Sequence, residues 1–217
     1  QDVATQSTLP KSADDEYGKA WVNGINDIKD LYEKGYFPDN TLTASDSETF
    51  ELFTSDKAAF LIDGSWKVGG IEEAVDDIDN YTVTYVPGKG NRKSTDLIGG
   101  LSSGYYITKK CWDDPEKRAA AVDFIEYMTS DEMVSKFAGS SATALKNGAT
   151  VDADSMSSLA NAGVELCAGA TGISPAVQDS LSTAAKDPIF AGMADIVQGN
   201  KKVAAAVDEA LTINSGE

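Results

Sequence analysis

Between Ala58 and Ser130 short apolar or β-branched runs, glycine-bearing turns and stretches at helical spacing follow one another in an ordered series. Ala58-Ala59-Phe60-Leu61-Ile62 reads as a compact buried strand that stops at Asp63-Gly64, and Ser65 is placed to cap the helix that follows. Gly69-Gly70 predicts that the start of this helix lies close to other backbone. Tyr81 to Val86 alternates aromatic or β-branched residues with threonine, the signature of a second strand, and Pro87-Gly88-Lys89-Gly90-Asn91 is a loop. Leu97 to Thr108 reads as a third strand interrupted by small residues, with Gly99-Gly100 permitting a bend or a close approach of backbone. Asp114-Pro115-Glu116 then opens a helix through Met128, because proline at the first turn lacks only an N–H that would have no intrahelical partner. Strands that alternate with helices argue for the α/β class, and no internal repeat is visible.

On either side of this region the pattern is helical. Asp14-Asp15-Glu16 puts acid ahead of Trp21, Ile25, Ile28 and Tyr32, so a helix is expected to end near Gly35 with Pro38 beyond. Ser47-Glu48 opens a short helix through Phe53, and Ser130-Asp131-Glu132 another through Phe137. Gly139 to Gly148 is small and polar, a crossing loop. From Val151 to Leu211, alanine, serine and short apolar residues predict mostly helix. One such helix starts at Pro188-Ile189-Phe190 and closes at Gly199, and Val203, Val207 and Leu211 form the stripe of the last.

Composition removes several chemistries. The formal charge is −17, from 18 basic and 35 acidic residues. That leaves no basic footprint for nucleic acid, whose binding depends on displacing counterions from phosphates. Solubility is the plain reading of the acidity. The chain has no histidine, which removes histidine-dependent triads, histidine-ligated zinc and histidine proton shuttles. Cys111 and Cys167 lie far apart and in unlike contexts; a disulfide between them is the alternative, and two separate free thiols are the default reading. The Pro87–Asn91 loop lacks the spacing of a phosphate-binding loop. Asp152-Ala153-Asp154 starts like a calcium loop, but Met156 stands where an oxygen ligand is needed. Neither a metal nor a cofactor is expected, and no apolar run approaches the roughly 20 residues of a membrane span.

The ordered series Ala58–Trp66, Tyr81–Gly88 and Ile98–Thr129 resembles the extracellular solute-binding proteins of sugar-type ABC importers, the family that includes maltose-binding-protein-like members. The resemblance runs from about Gly18 to Leu211 and is to the C-terminal half of such a protein. It implies a partial periplasmic-binding-protein-like fold of type II, helix-rich with few strands. In such folds two α/β lobes close over a sugar, and permease subunits recognise the closed form. It further implies that residues 1–86 begin lobe two, 87–143 form a returning, incomplete piece of lobe one, and 144–217 complete lobe two. An extracytoplasmic location follows, with any membrane attachment through a lipid anchor upstream. A sensing or adhesion domain of the same fold, and more remotely a glycosidase that uses two carboxylates, are the alternatives.

Sugar sites pair aromatic faces with polar groups that satisfy hydroxyls. Trp66 follows the first strand at its C-terminal end, where α/β sheets bind ligands. It is read either as a sugar contact or as a core tryptophan beneath the helix start. Asp63 and Ser65 flank it, with turn formation and helix capping as their alternative roles. By the resemblance, Gly99, Gly100 and Ser102 belong to a Gly-Gly segment at the edge of the cleft, where backbone amides face the ligand. At least one of Tyr105 and Tyr106 is expected in a core, Thr171 to Gln178 matches a cleft-lining segment loosely, and Trp21 and Trp112 read as structural.

Overall fold

A computed structural model describes residues 4–5, 8–99, 104–138, 154 and 156–216. Contacts divide the chain into two compact units. The first comprises Gln1–Asp46, Pro87–Gly100 and Thr171–Glu217; the second comprises Ser47–Val86 and Leu101–Ala170.

The first unit is built on α1 (Glu16–Glu33), as its acidic start and apolar spacing predict. Asp15 caps it, its carboxylate accepting from the Gly18 N–H at 2.7 Å and from the Lys11 N–H at 2.5 Å. These bonds, led by that from Gly18, hold the Asp15 carboxyl below its usual pKa. Gly35 ends the helix at φ 71°, a left-handed turn that glycine enters without steric cost. Trp21, Val22 and Ile25 of α1 pack with residues that follow α8 (Thr183–Lys186): Ile196 of α9 (Met193–Val197) and Val203, Ala206, Val207 and Ala210 of α10 (Val203–Ser215). Ile196, Ala206, Val207 and Ala210 are fully buried. The Ala13 N–H adds a bond to the Asp208 carboxylate at 2.7 Å, tying the segment before α1 to α10.

Two strands complete this unit. β1 (Asp96–Ile98) pairs in parallel with β2 (Gly172–Ser174), with Asp96 opposite Gly172 and Ile98 opposite Ser174. The ladder continues at both ends, from the Thr171 N–H to the Thr95 carbonyl and from the Gly99 N–H to the Ser174 carbonyl.

The second unit packs α3 (Val68–Ala74) against α7 (Ser158–Ala168) through Val68, Ile71, Leu159 and Ala160. Phe50 and Phe53 of α2 (Asp46–Thr54), with Val75, Ile78, Tyr81 and Met156, close around them. Phe53 meets Tyr81 edge-on, ring centres 5.4 Å apart. Ser157 caps α7 by accepting from the Ala160 N–H at 3.1 Å, and its hydroxyl donates to the Glu72 carboxylate of α3. The same unit carries α4 (Lys109–Trp112), α5 (Pro115–Met128) and α6 (Asp131–Ala138). α5 starts where Asp114-Pro115-Glu116 predicts. The Lys117 ammonium, 2.5 Å away, and the N–H groups of Lys117 and Glu116 together hold the Asp114 carboxyl below its usual pKa.

Several expectations are overturned. Residues 58–62 are irregular, with a bend at Ala59, and pair with no strand among the described residues; Phe60 and Ile62 are each 83% exposed. Residues 81–86 likewise form no strand among the described residues, and Val86 is exposed. Of the third expected strand, Leu97 and Ile98 lie in β1 and the Gly99 N–H extends its ladder, while residues 104–108 form no strand. The side-chain pattern is strand-like in each case, but a strand exists only where a second backbone supplies the other half of its hydrogen bonds. Ser65 does not cap the helix: it begins a single 3₁₀ turn, Ser65–Lys67, preceded by Gly64 without a side-chain cap. Among the described residues no backbone outside the helix approaches the Gly69-Gly70 pair either, since a Cβ at Gly69 would meet nothing within 4 Å and one at Gly70 only the Phe50 ring. Tyr105 and Tyr106 are both exposed rather than core. The stretch from Pro188 to Gly199 is a run of turns followed by the short α9, not one helix, although Gly199 does close it at φ 80°.

Candidate ligand-contact site

Residues 58–62 lead into the turn that carries Asp63, Ser65 and Trp66, all in the second unit. The Asp63 carboxylate accepts from the Gly64 N–H at 2.8 Å, a tight turn of the kind that aspartate favours. It also lies 3.7 Å from the Lys67 ammonium, with both side chains about four-fifths shielded from solvent. That ammonium sits 5.1 Å from the centre of the Phe50 ring, which puts a cation against an aromatic face. A chain of contacts thus runs from Asp63 through Lys67 to Phe50 at the edge of the α3–α7 core. The turn is anchored at one end and open at the other.

Trp66 stands at the open end. It is 66% exposed and so is not a core tryptophan. An indole left in water forgoes about 2 kcal/mol or more of burial, judged from the cost for large apolar side chains. Ser65 beside it is also exposed. By contrast Trp21 packs on the core of the first unit. Trp112 is half-exposed and lies beneath the Arg118 guanidinium, 5.4 Å from its centre, so its role at the helix entry is local.

Gly99 belongs to the first unit. Its N–H donates to the Ser174 carbonyl at 2.9 Å, so that amide is occupied by the ladder. A Cβ there would come within 3.3 Å of the Ile173 side chain, a tight fit that favours glycine. Gly100 and Ser102 lie outside the described residues, as do Asp152, Ala153 and the loop 139–148. Of the loosely matched segment 171–178, Thr171 shares a 2.6 Å hydrogen bond with the Thr95 hydroxyl, while Ser174 is buried with its hydroxyl unpartnered.

A hollow of about 240 Å³ in the second unit is lined by Tyr105, Tyr106, Cys111, Phe124 and Ile125, with Tyr105 edge-on to Phe124 at 5.9 Å. Sequence reasoning missed it because it placed one of these tyrosines inside a core. Its walls are mainly apolar and offer few groups to a polyhydroxylated ligand. Both cysteines are free.

A model of the bacterial extracellular solute-binding proteins matches residues 3–154, well over half of the chain. The chain belongs to that family. Family membership places it outside the cytoplasm. Among the described residues no helix is long and apolar enough to cross a membrane. No curated protein matches the chain. Among solved structures, a chitin oligosaccharide binding protein superposes with a TM-score of 0.76 at 23% identity, over 94% of this chain and 50% of that one. The chain therefore spans about half the length of the structure it matches. At that identity the likeness establishes the fold: helix-rich, with few strands, part of a periplasmic-binding-protein-like architecture. The family and the structural neighbour are binding proteins, not enzymes.

Proposed function

We propose that this chain is the C-terminal part of the carbohydrate-binding component of an ABC importer, and that it binds without chemistry. The observation that carries the reading is Trp66: an aromatic ring open to solvent, held by an anchored turn, with Asp63 and Ser65 beside it. A pyranose offers such a ring one apolar face, and its hydroxyls need donors and acceptors close by. The fold shared with a chitin oligosaccharide binding protein supports the choice of an oligosaccharide. In this reading residues 1–86 and 144–217 belong to lobe two and 87–143 to lobe one. The Gly99-Gly100 segment and Ser102 stay as expected ligand contacts on the family resemblance alone, without the Gly99 amide, which the Ser174 carbonyl takes, and permease subunits recognise the closed form. Membrane attachment would come from a lipid anchor upstream.

The reading makes this chain a half-site. Stacking and hydrogen bonds from one side alone give affinity on the order of millimolar. A thermal-shift panel of mono- and oligosaccharides should leave the melting temperature of this chain unchanged at micromolar ligand. It should raise that of a polypeptide carrying the full length of the matched fold. Micromolar binding by this chain alone would overturn the half-site reading.

A further inference from the structure

Gly64 and Trp66 touch in a way that their backbone does not require. Gly64 has φ −113° and ψ 171°, extended torsions that any residue adopts. Nothing in its conformation selects glycine, but the space around it does. A Cβ at this position would lie 2.3 Å from Cη2 and Cζ3 of Trp66 and 2.5 Å from Cζ2. Those are three consecutive atoms of the six-membered ring. A point almost equidistant from three such atoms lies over the face of the ring, because off the edge the middle atom would be much the nearest. The indole therefore rests face-down on the Gly64 backbone, with most of the residue still exposed. The turn beneath it is fixed by the Asp63 carboxylate on the Gly64 N–H and by Lys67 between Asp63 and Phe50.

We infer that Gly64 is a positioning residue: its bare backbone is the seat that holds the Trp66 indole flat and presents the outer face for stacking on a saccharide ring. The role rests on the reading of Trp66 as the carbohydrate contact. A methyl group at position 64 cannot coexist with the ring where it lies. The indole must swing away, and it can do so because its outer side is solvent. The cost falls on the orientation of the ring rather than on the fold.

The test uses the full chain and NMR, with an N-acetylglucosamine oligosaccharide at millimolar concentration as the probe. In the unsubstituted chain the Gly64 α-protons should be shifted upfield by the ring above them, and Trp66→Ala should return them to ordinary positions. Gly64→Ala should keep the melting temperature, move the Trp66 indole N–H resonance and weaken its response to the saccharide by about threefold to tenfold, the worth of an oriented aromatic contact. Gly64→Ser, a second variant, should do the same. Unshifted Gly64 α-protons would overturn the inference. So would a Gly64→Ala chain that answers the saccharide as the parent does while Trp66→Ala no longer answers, an outcome that leaves the carbohydrate reading intact. If instead Trp66→Ala answers as the parent does, the carbohydrate reading fails and the positioning role with it.

Discussion

Asp15 shows how one side chain can hold the start of a domain. Its carboxylate accepts from the N–H groups of Gly18 and Lys11, and α1 supplies part of the core of the first unit. Its folded pKa is lowered from 3.8. The unfolded chain therefore binds this proton more readily, and the stabilisation is present above that value and lost as pH falls through the lower folded one. Asp114 behaves alike, chiefly through the Lys117 ammonium. An acid titration followed by circular dichroism should show stability falling below pH 3.8, and Asp15→Ala should flatten that limb. A buried residue offers a contrast in size. Ile196 has no exposed surface, so Ile196→Ala should cost about 2 to 5 kcal/mol in urea unfolding. Ser157→Ala should cost about 1 kcal/mol through the lost cap of α7, together with the bond to Glu72 that joins α7 to α3.

At the scale of elements, the unpaired segments give the sharpest expectation. Phe60 is 83% exposed, so Phe60→Ala in this chain should change stability by less than about 0.5 kcal/mol. Burial within a sheet would make the same substitution cost about 3 to 5 kcal/mol. Chemical denaturation of the two proteins separates these cases. The helices were legible in the sequence because their signals are local: Asp15 before α1, Asp114-Pro115 before α5, Gly35 after α1, and apolar residues three and four apart. The strands were not. Residues 58–62 and 81–86 have the right side chains, but pairing depends on a distant second backbone, and no sequence window contains that information. The same limit applies to Gly99, whose amide looked available until the ladder with Ser174 was visible. For Trp66 the sequence left core or contact open, and the structure shows an exposed ring.

For the whole molecule, the family, the half-length match and the unpaired segments agree. The fold covers 94% of this chain and 50% of its structural neighbour, and Phe60, Ile62, Val86 and Tyr106 are exposed. In the proposed reading a ligand held between lobes draws contacts from both, and this chain supplies those of one side. The account therefore predicts a site that is present in geometry and weak in affinity. The central claim is that Trp66 is the carbohydrate contact, and the three tryptophans provide an internal comparison. In a two-dimensional ¹H–¹⁵N titration with an N-acetylglucosamine oligosaccharide, the Trp66 indole resonance should move progressively through the millimolar range. Those of Trp21, packed on the core of its unit, and Trp112, under Arg118, should stay in place. A titration in which Trp66 stays fixed while resonances elsewhere move would contradict the account.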